Sequence, residues 1–302
     1  MGIITTGSHP KLLWPGIHAT FGNAYNEVSL QYPDLFDVST SDRAYEEDLE
    51  LTGFGLAPIK PEGQSVVFDS DVQGIVQRYM HVTYGLGFVV SREAIADNQY
   101  ERVATRRAKA LAFSMRQTKE NVAANVYNRA FSTSHLFGDG KPLISTTHPT
   151  LSGDQSNRMT VDADLSELAL ESLAIQIMDA RNSRGLHIGI TPKSLHVPRG
   201  LWFEANRILK SVLQNDSADN ATNVLREVNV FPGGIKLNHY LTDQDAYFVR
   251  TDCPNGMMMF QREALVFAQD NDFNTDNQKA RAMERYSVGN TDFRGIYGSQ
   301  GA

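Results

Sequence analysis

From Asn98 to Phe131 the chain runs for 34 residues without a glycine or a proline, and no other stretch limits its possible folds so strongly. Tyr100, Ala104, Ala108, Leu111, Met115, Val122 and Val126 recur close to a 3.6-residue period, the mark of one buried helix stripe. Most other positions are good helix formers, and Asp97 or Asn98 can cap the start by accepting a backbone N–H. An unbroken helix of this length spans roughly 50 Å at about 1.5 Å per residue, more than the width of an ordinary small domain. It carries Arg102, Arg106, Arg107, Lys109, Arg116, Lys119 and Arg129 against Glu101 and Glu120, seven cations less two carboxylates, or +5. Two readings follow. The basic residues form a solvated face in a large α+β enzyme, or the helix is a spine whose basic side meets an acidic neighbour.

The first 41 residues are punctuated by Gly2, Gly7, Pro10, Pro15, Gly16, Gly22 and Pro33, yet carry Trp14, Phe21, Tyr25, Tyr32, Leu35 and Phe36. That is too apolar for a disordered tail and too broken to bury those groups on itself. An arm laying its aromatics on another surface, of its own chain or a neighbour's, resolves the conflict, and Trp14 and Phe21 are its contact candidates. Residues 42–97 then read as strand, loop, strand, with Pro58, Pro61 and Gly63 at the tip and the return strand rich in β-branched and aromatic residues. A long two-stranded arm is not stable alone in water and must rest on something. Its outgoing strand holds Asp42, Glu46, Glu47, Asp48 and Glu50 against Arg43, a net of −4. An acidic hairpin base and the basic spine (Arg102, Arg106, Arg107, Lys109, Arg116) within one chain point to contact between copies.

A Gly/Ser/Thr/Pro connection follows at 132–160. Next comes a helix expected from an Asp164 cap to a stop at Gly185, then a strand at Ser194–Val197 and a helix from about Gly200 to Leu213. Strands expected at Val228–Phe231, Ala246–Thr251 and Met257–Phe260 complete an inserted α/β lobe, and the tail alternates through Tyr286 and Val288 like a strand rejoining the sheet beside the spine.

The chemistry such a chain can carry is limited. With 28 Lys+Arg against 35 Asp+Glu the formal charge is −7, which argues against a dedicated nucleic-acid reader. Cys253 is the only cysteine, so no intramolecular disulfide and no cysteine metal cage can form, which suits synthesis in the cytoplasm. No run of 18 apolar residues predicts a membrane span, and the start lacks a secretion signal. No Walker-type loop, G-x-G-x-x-G or G-x-S-x-G motif occurs. His135, Asp139 and His148 are acceptable metal ligands, but their spacing matches no tight ligand pair. Cys253 reads as a buried inert thiol, with His239 lying 14 residues back. No catalytic set, cofactor or metal site is expected.

The run PLISTTHPTLSGDQSN (142–157), the helix after it and ARNSRGLHIGITPKSLHVPRGLWFEANRILKS (180–211) resemble the inserted lobe of Mu-type major head subunits, which have the Hong Kong 97 fold of tailed-phage capsid proteins. Arg184–Pro198 is the most specific part, and the tail RYSVGNTDFRGIYGS resembles the closing strand and turn of such proteins. The resemblance implies an α+β fold with an N-terminal arm (1–41), an E-loop hairpin with flanking strands (42–97) and a P-domain spine helix with its connection (98–159). An A-domain (160–260) and closing P-domain strands (261–302) complete it. It further implies a non-enzymatic shell subunit of the virion, assembling in the host bacterial cytoplasm as hexamers and pentamers into an icosahedral capsid. That shell would enclose double-stranded DNA, contacted non-specifically. The hairpin of each subunit would lie over a neighbour's P-domain. Some relatives cross-link an E-loop lysine, for which Lys60 is the candidate. The start at Met1 directly into the arm implies a separate scaffolding protein, with a portal and a decoration protein as further partners. Two alternatives stay open: an encapsulin-type compartment shell, and a soluble metal-dependent hydrolase using the 132–160 loop.

Overall fold

The computed structural model describes residues 14–27, 29–91, 93, 100–213, 222–272 and 277–302, without the side chains of 14–17, 51 and 100–103. Helices α1 (Trp14–Glu27) and α2 (Tyr32–Leu35) precede strand β1 (Asp37–Thr40). Strands β2 (Tyr45–Leu51) and β3 (Gln73–Met80) pair antiparallel as the hairpin, and β4 (Val82–Val90) follows. The spine is α3 (Tyr100–Asn128), with the expected caps Asp97 and Asn98 outside the described residues. A short β5–β6 pair (His148–Thr150, Gly153–Gln155) leads to α4 (Glu167–Met178), β7 (Pro192–Val197), α5 (Trp202–Lys210) and α6 (Val224–Glu227). The chain finishes with β8 (Ile235–Leu237), β9 (Tyr247–Thr251), β10 (Met257–Asn271), β11 (Gln278–Asn290) and β12 (Ile296–Ser299).

Two four-stranded sheets result, ordered β1-β10-β11-β4 and β12-β9-β7-β8. The spine serves both. Ala104, Ala108, Leu111 and Met115 pack with Val90 and Ala282 of the first sheet, and small alanines on the helix let the two backbones lie close. Farther along, Ala123 and Tyr127 join Phe248 and Ile296 of the second sheet and Met257, Met259 and Tyr286 of the first. A third core lies on the other face of the second sheet, where Leu195, Val197, Tyr247 and Val249 meet Leu170, Leu173 and Ile177 of α4 and Ala205 and Ile208 of α5.

Several sequence expectations are corrected. The return strand is two strands, broken at His81. Its imidazole is bonded to Ser41 Oγ (3.1 Å) and Ser287 Oγ (3.0 Å), which turns the chain from hairpin to sheet. Residues 228–231 form no strand: they follow α6 through a turn with Asn229 at φ 52°. Met257–Phe260 open β10, which pairs with β1 and β11 in the first sheet, not within the lobe. Conversely β12 pairs with β9, so the last strand closes the second sheet. The arm is partly helical, since Pro15 sits in the first turn of α1, where its missing N–H has no partner to lose.

Helix α4 is capped by Ser166, whose side chain accepts from Ala169 N at 3.2 Å, and ends at Met178; Asp164 is not the cap and Gly185, at φ +85°, lies in a later turn. Ser166→Ala should therefore lower subunit stability by about 1 kcal/mol in a chemical-denaturation midpoint. The same change in Asp164 should leave helix α4 itself intact.

Candidate inter-subunit surfaces

The hairpin is held at its base and bare at its tip. Asp48 accepts from Thr291 Oγ1 at 2.8 Å, Glu50 accepts from Ser183 Oγ and pairs with Arg294 at 3.4 Å, and Arg184 bonds Asp69 and the Ser70 carbonyl. Above the strands Asp71 and Asp69 extend the ladder by accepting from Gly53 N (2.9 Å) and Gly55 N (2.8 Å). Beyond these rungs the chain presents Leu56 (81% exposed), Ile59 (95%) and Phe68 (92%) to solvent, with Val66 and Val67 also exposed. Isolated exposed apolar residues are ordinary, but a contiguous set on a projecting loop marks a contact surface.

Strand alternation divides the acidic candidates. Glu46 accepts from Ser41 Oγ (2.6 Å) and lies 3.7 Å from Arg43; with Asp48 and Glu50 it is engaged on the subunit's own body. Those three side chains therefore have partners within their own subunit. Glu47, half exposed, pairs with Arg78 at 3.2 Å on the other side, and Asp42 is fully exposed, 3.8 Å from Arg262.

The basic candidates divide likewise. Arg106, Arg107 and Lys109 are exposed on the spine, with Arg107 Nη1 also donating to the Val89 carbonyl at 2.9 Å. Arg116 is 4% exposed: it donates to the Tyr25 carbonyl from Nη2 (3.0 Å) and Nε (3.3 Å) and stacks on the Tyr25 ring. Phe21 is 3% exposed and stacks on Phe267 with centroids 4.5 Å apart. Arg116 and Phe21 therefore bind α1 to its own spine and sheet and are buried within the subunit. The side chains of Trp14 and Arg102 lie outside the described residues. One feature that sequence reasoning missed is a groove of about 350 Å³ between the hairpin base, α3 and β11. Arg78, Arg129, His135, Met80 and Leu136 are among its lining residues, and none of the lining residues described is acidic. Its parts come from four separate segments, so no local pattern announces it.

The loop residues with catalytic potential are placed structurally. His148 Nδ1 lies 2.5 Å from Asp139 Oδ2 and its Nε2 lies 3.0 Å from Asn157 Oδ1, with the ring stacked on Phe293. Asn157 Nδ2 donates to the carbonyls of Leu143, Phe293 and Ile296, so both ring nitrogens of His148 serve a clamp joining the loop to the end of the chain. His135 is exposed and stands apart from this pair. Among the described residues no group of three or more His, Cys, Asp or Glu is placed to hold a metal. Burial and the Asp292 carboxylate push the Cys253 thiol up to about 12, which keeps it protonated and a poor nucleophile. No described helix is long and apolar enough to cross a membrane.

The profile of the phage capsid protein family matches residues 75–299. The chain belongs to the phage capsid protein family. Solved structures share its architecture at low identity. The capsid of Cyanophage P-SCSP1u is 10% identical with a TM-score of 0.56, over 91% of this chain and 88% of that one. A virus-like particle from Pyrococcus furiosus is 12% identical with a TM-score of 0.53, over 94% and 97%. The capsid of Myoviridae phage XM1 is 9% identical with a TM-score of 0.50, over 88% and 90%. The sequence matches no curated protein. The fold is thus the Hong Kong 97-like α+β fold, and the chain is a structural protein, a phage capsid protein of the virion shell. Capsid proteins of this kind self-assemble, and among the described residues the bare hairpin tip holds the most exposed large apolar side chains of this capsid protein, Ile59 and Phe68.

Proposed function

We propose that this capsid protein is a Mu-type head subunit that builds an icosahedral shell of hexamers and pentamers around double-stranded DNA, without catalysis of its own. In this reading α1 and α2 belong to the arm, β2–β3 with its tip is the E-loop, and α3 with the first sheet is the P-domain. The second sheet with α4 and α5 is the A-domain. Assembly takes place in the bacterial cytoplasm with a separate scaffolding protein and a portal, and a decoration protein fits the same scheme.

The observation that carries the reading is the tip. Residues 52–72 hold Lys60 against Glu62, Asp69 and Asp71, one cation less three carboxylates, or −2, around Leu56, Ile59 and Phe68. The carboxylate-free groove with Arg78, Arg129 and His135 beside Met80 and Leu136 has the complementary character. A neighbour's tip laid along the spine and into that groove buries apolar side chains worth about 1.5–3 kcal/mol each. Individual exposed ion pairs add only about 0–1 kcal/mol. Many repeated contacts of this strength hold a lattice while letting a misplaced subunit leave.

Ile59→Asp combined with Phe68→Asp tests this directly. Both side chains touch almost nothing in their own subunit, so the melting temperature of the soluble chain should stay unchanged while particles counted by negative-stain microscopy fall by more than about tenfold. Normal particle numbers from the double variant would remove the tip from the assembly contact. The nuclease-protected contents of purified particles separate a genome shell, which holds DNA, from a compartment shell, which holds protein cargo.

A further inference from the structure

The hairpin leaves the body at one corner and is tied down again farther out. Ser41, before β2, and His81, after β3, bond each other at 3.1 Å, and His81 is bonded in turn to Ser287 of β11 at 3.0 Å. Both strands therefore start from one point fixed to the first sheet. Just beyond it Thr291 Oγ1 donates to Asp48 and bonds the hydroxyl of the buried Tyr79 at 2.7 Å, which seats the root. The second attachment is to the lobe. Ser183 Oγ donates to Glu50, and the Arg184 guanidinium donates to the Asp69 carboxylate at 3.3 Å and to the Ser70 carbonyl.

The lobe side of this attachment is rigid. Asn182 Oδ1 accepts from Arg184 N and Leu186 N, both at 2.9 Å, and fixes the turn between α4 and β7. Gly185, at φ +85°, lies so close to the β5–β6 turn that a Cβ there would stand 3.2 Å from Ser152 Cβ. Arg184 is thus aimed by a fixed frame, but its grip is weak. Its side chain is 22% exposed and that of Asp69 41%, so the ion pair is open to solvent. Among the described residues its guanidinium bonds only the hairpin, and its Nε is buried without a partner. A buried donor with no acceptor counts against the closed position, and opening returns it to water. Glu50 adds little that resists opening, since Arg294 keeps Asp292 at 3.0 Å and the Arg181 carbonyl at 2.7 Å without it.

We propose that the Ser183–Arg184 turn is a clasp that holds each subunit's own hairpin down on its lobe, an autoinhibitory contact that opens before the tip engages a neighbour. The inference rests on the shell reading above and adds a controlled step to it. A hairpin fixed at its root and again at the lobe has a single angle, whereas rings of five and of six copies set neighbouring bodies at different angles. While the clasp is closed the subunit is not competent to join, and the affinity of one copy for the next is reduced by the fraction that is open. A neighbour shifts that balance because the apolar tip, with Ile59 and Phe68, gains a surface only in the open position.

Removing the clasp is the test. Arg184→Ala with Glu50→Gln should lower the subunit concentration at which particles appear in light scattering by at least about threefold, with the melting temperature of the soluble subunit unchanged. Spin labels on Glu62→Cys at the tip and Ser172→Cys on α4, both exposed in a chain whose own Cys253 is buried, report the hairpin position directly. Below the onset of assembly they should give one narrow separation with the clasp intact and a broad spread without it. Arg184→Ala alone carries both expectations at smaller size, and it decides the matter if the double variant melts lower. A separation that stays narrow shows that the turn does not hold the hairpin. A broad spread with an unchanged or higher onset shows that the turn aims the hairpin instead of restraining it. Either result overturns the clasp and leaves the shell reading in place. An unmodified chain that forms no particles at any concentration overturns the shell reading, and the autoinhibition with it.

Discussion

Glu284→Ala is expected to destabilise the soluble subunit by about 3–5 kcal/mol, a large share of the roughly 5–15 kcal/mol that holds a typical domain. Glu284 lies on β11 with its side chain fully buried, and Lys119 of the spine, 4% exposed, places Nζ 3.2 Å from its Oε2. Lys119 also donates to Gln261 Oε1 at 2.7 Å, so the ammonium is held by groups from two strands of the first sheet. Burial pushes the Lys119 ammonium below the ordinary lysine value, and the Glu284 carboxylate opposes that shift. Without the carboxylate a buried charge is left with a neutral amide and the rings of Tyr32 and Tyr286, about 5 Å away, and the cost is that of stranding the charge, not the net worth of the pair. One turn of helix away, Arg116 holds Tyr25, and Glu120 accepts from Gln31 N at 3.0 Å. The pair therefore sits where the N-terminal helices, the spine and the first sheet converge. A double variant, Lys119→Met with Glu284→Leu, removes both charges and should recover most of the loss. Guanidinium midpoints of the two variants beside the unmodified chain check this. A Glu284→Ala loss below about 1 kcal/mol would show the pair to be solvated in solution.

What could be read from the sequence follows the range of the forces involved. The spine was legible because its signal is local: an unbroken run of helix formers with apolar residues at helical spacing. The hairpin was legible for a similar reason, with Pro and Gly at the tip between two strand-like runs. The corner at His81 was not, because β-branched residues continue on both sides and the turn is set by Ser41 and Ser287, which are 40 and 206 residues away. Nor was the exchange of β10 and β12 between sheets, since both strands have strand-like composition and only pairing with distant partners assigns them. Among the contact candidates, charge could be counted but not aimed. Arg116 and Arg106 are both helix arginines in the same run, yet one is buried against Tyr25 and the other faces solvent. The apolar tip residues Ile59 and Phe68 carried a stronger contact signal than the acidic strand, and it emerged only once the loop was seen to have nothing beneath it.

Acid should loosen the subunit in a pH window set by one buried histidine. His196 of β7 points away from the lobe core and toward Tyr127 of the spine, with Nε2 2.9 Å from Ser194 Oγ and the ring fully buried. Burial pushes its pKa from 6.5 down to about 3, and the nearby cations Arg250 and Lys236 act in the same direction. The folded subunit therefore keeps this ring neutral, while the unfolded chain protonates it below about pH 6.5. Since the unfolded state binds the extra proton, stability is fully present above pH 6.5 and falls as pH drops from there toward 3. The slope is about 1.4 kcal/mol per pH unit, so roughly 2–3 kcal/mol is lost by pH 4.5. His81, lowered chiefly by its own burial, adds a contribution of the same sign. In His196→Leu the dependence of the guanidinium midpoint on pH between 6.5 and 4.5 should flatten by one proton's worth, whatever the variant's stability at pH 7. An unchanged slope would mean that the ring at the joint between the second sheet and the spine is protonated in the folded state. The pH response of the shell subunit would then have to come from elsewhere in the chain.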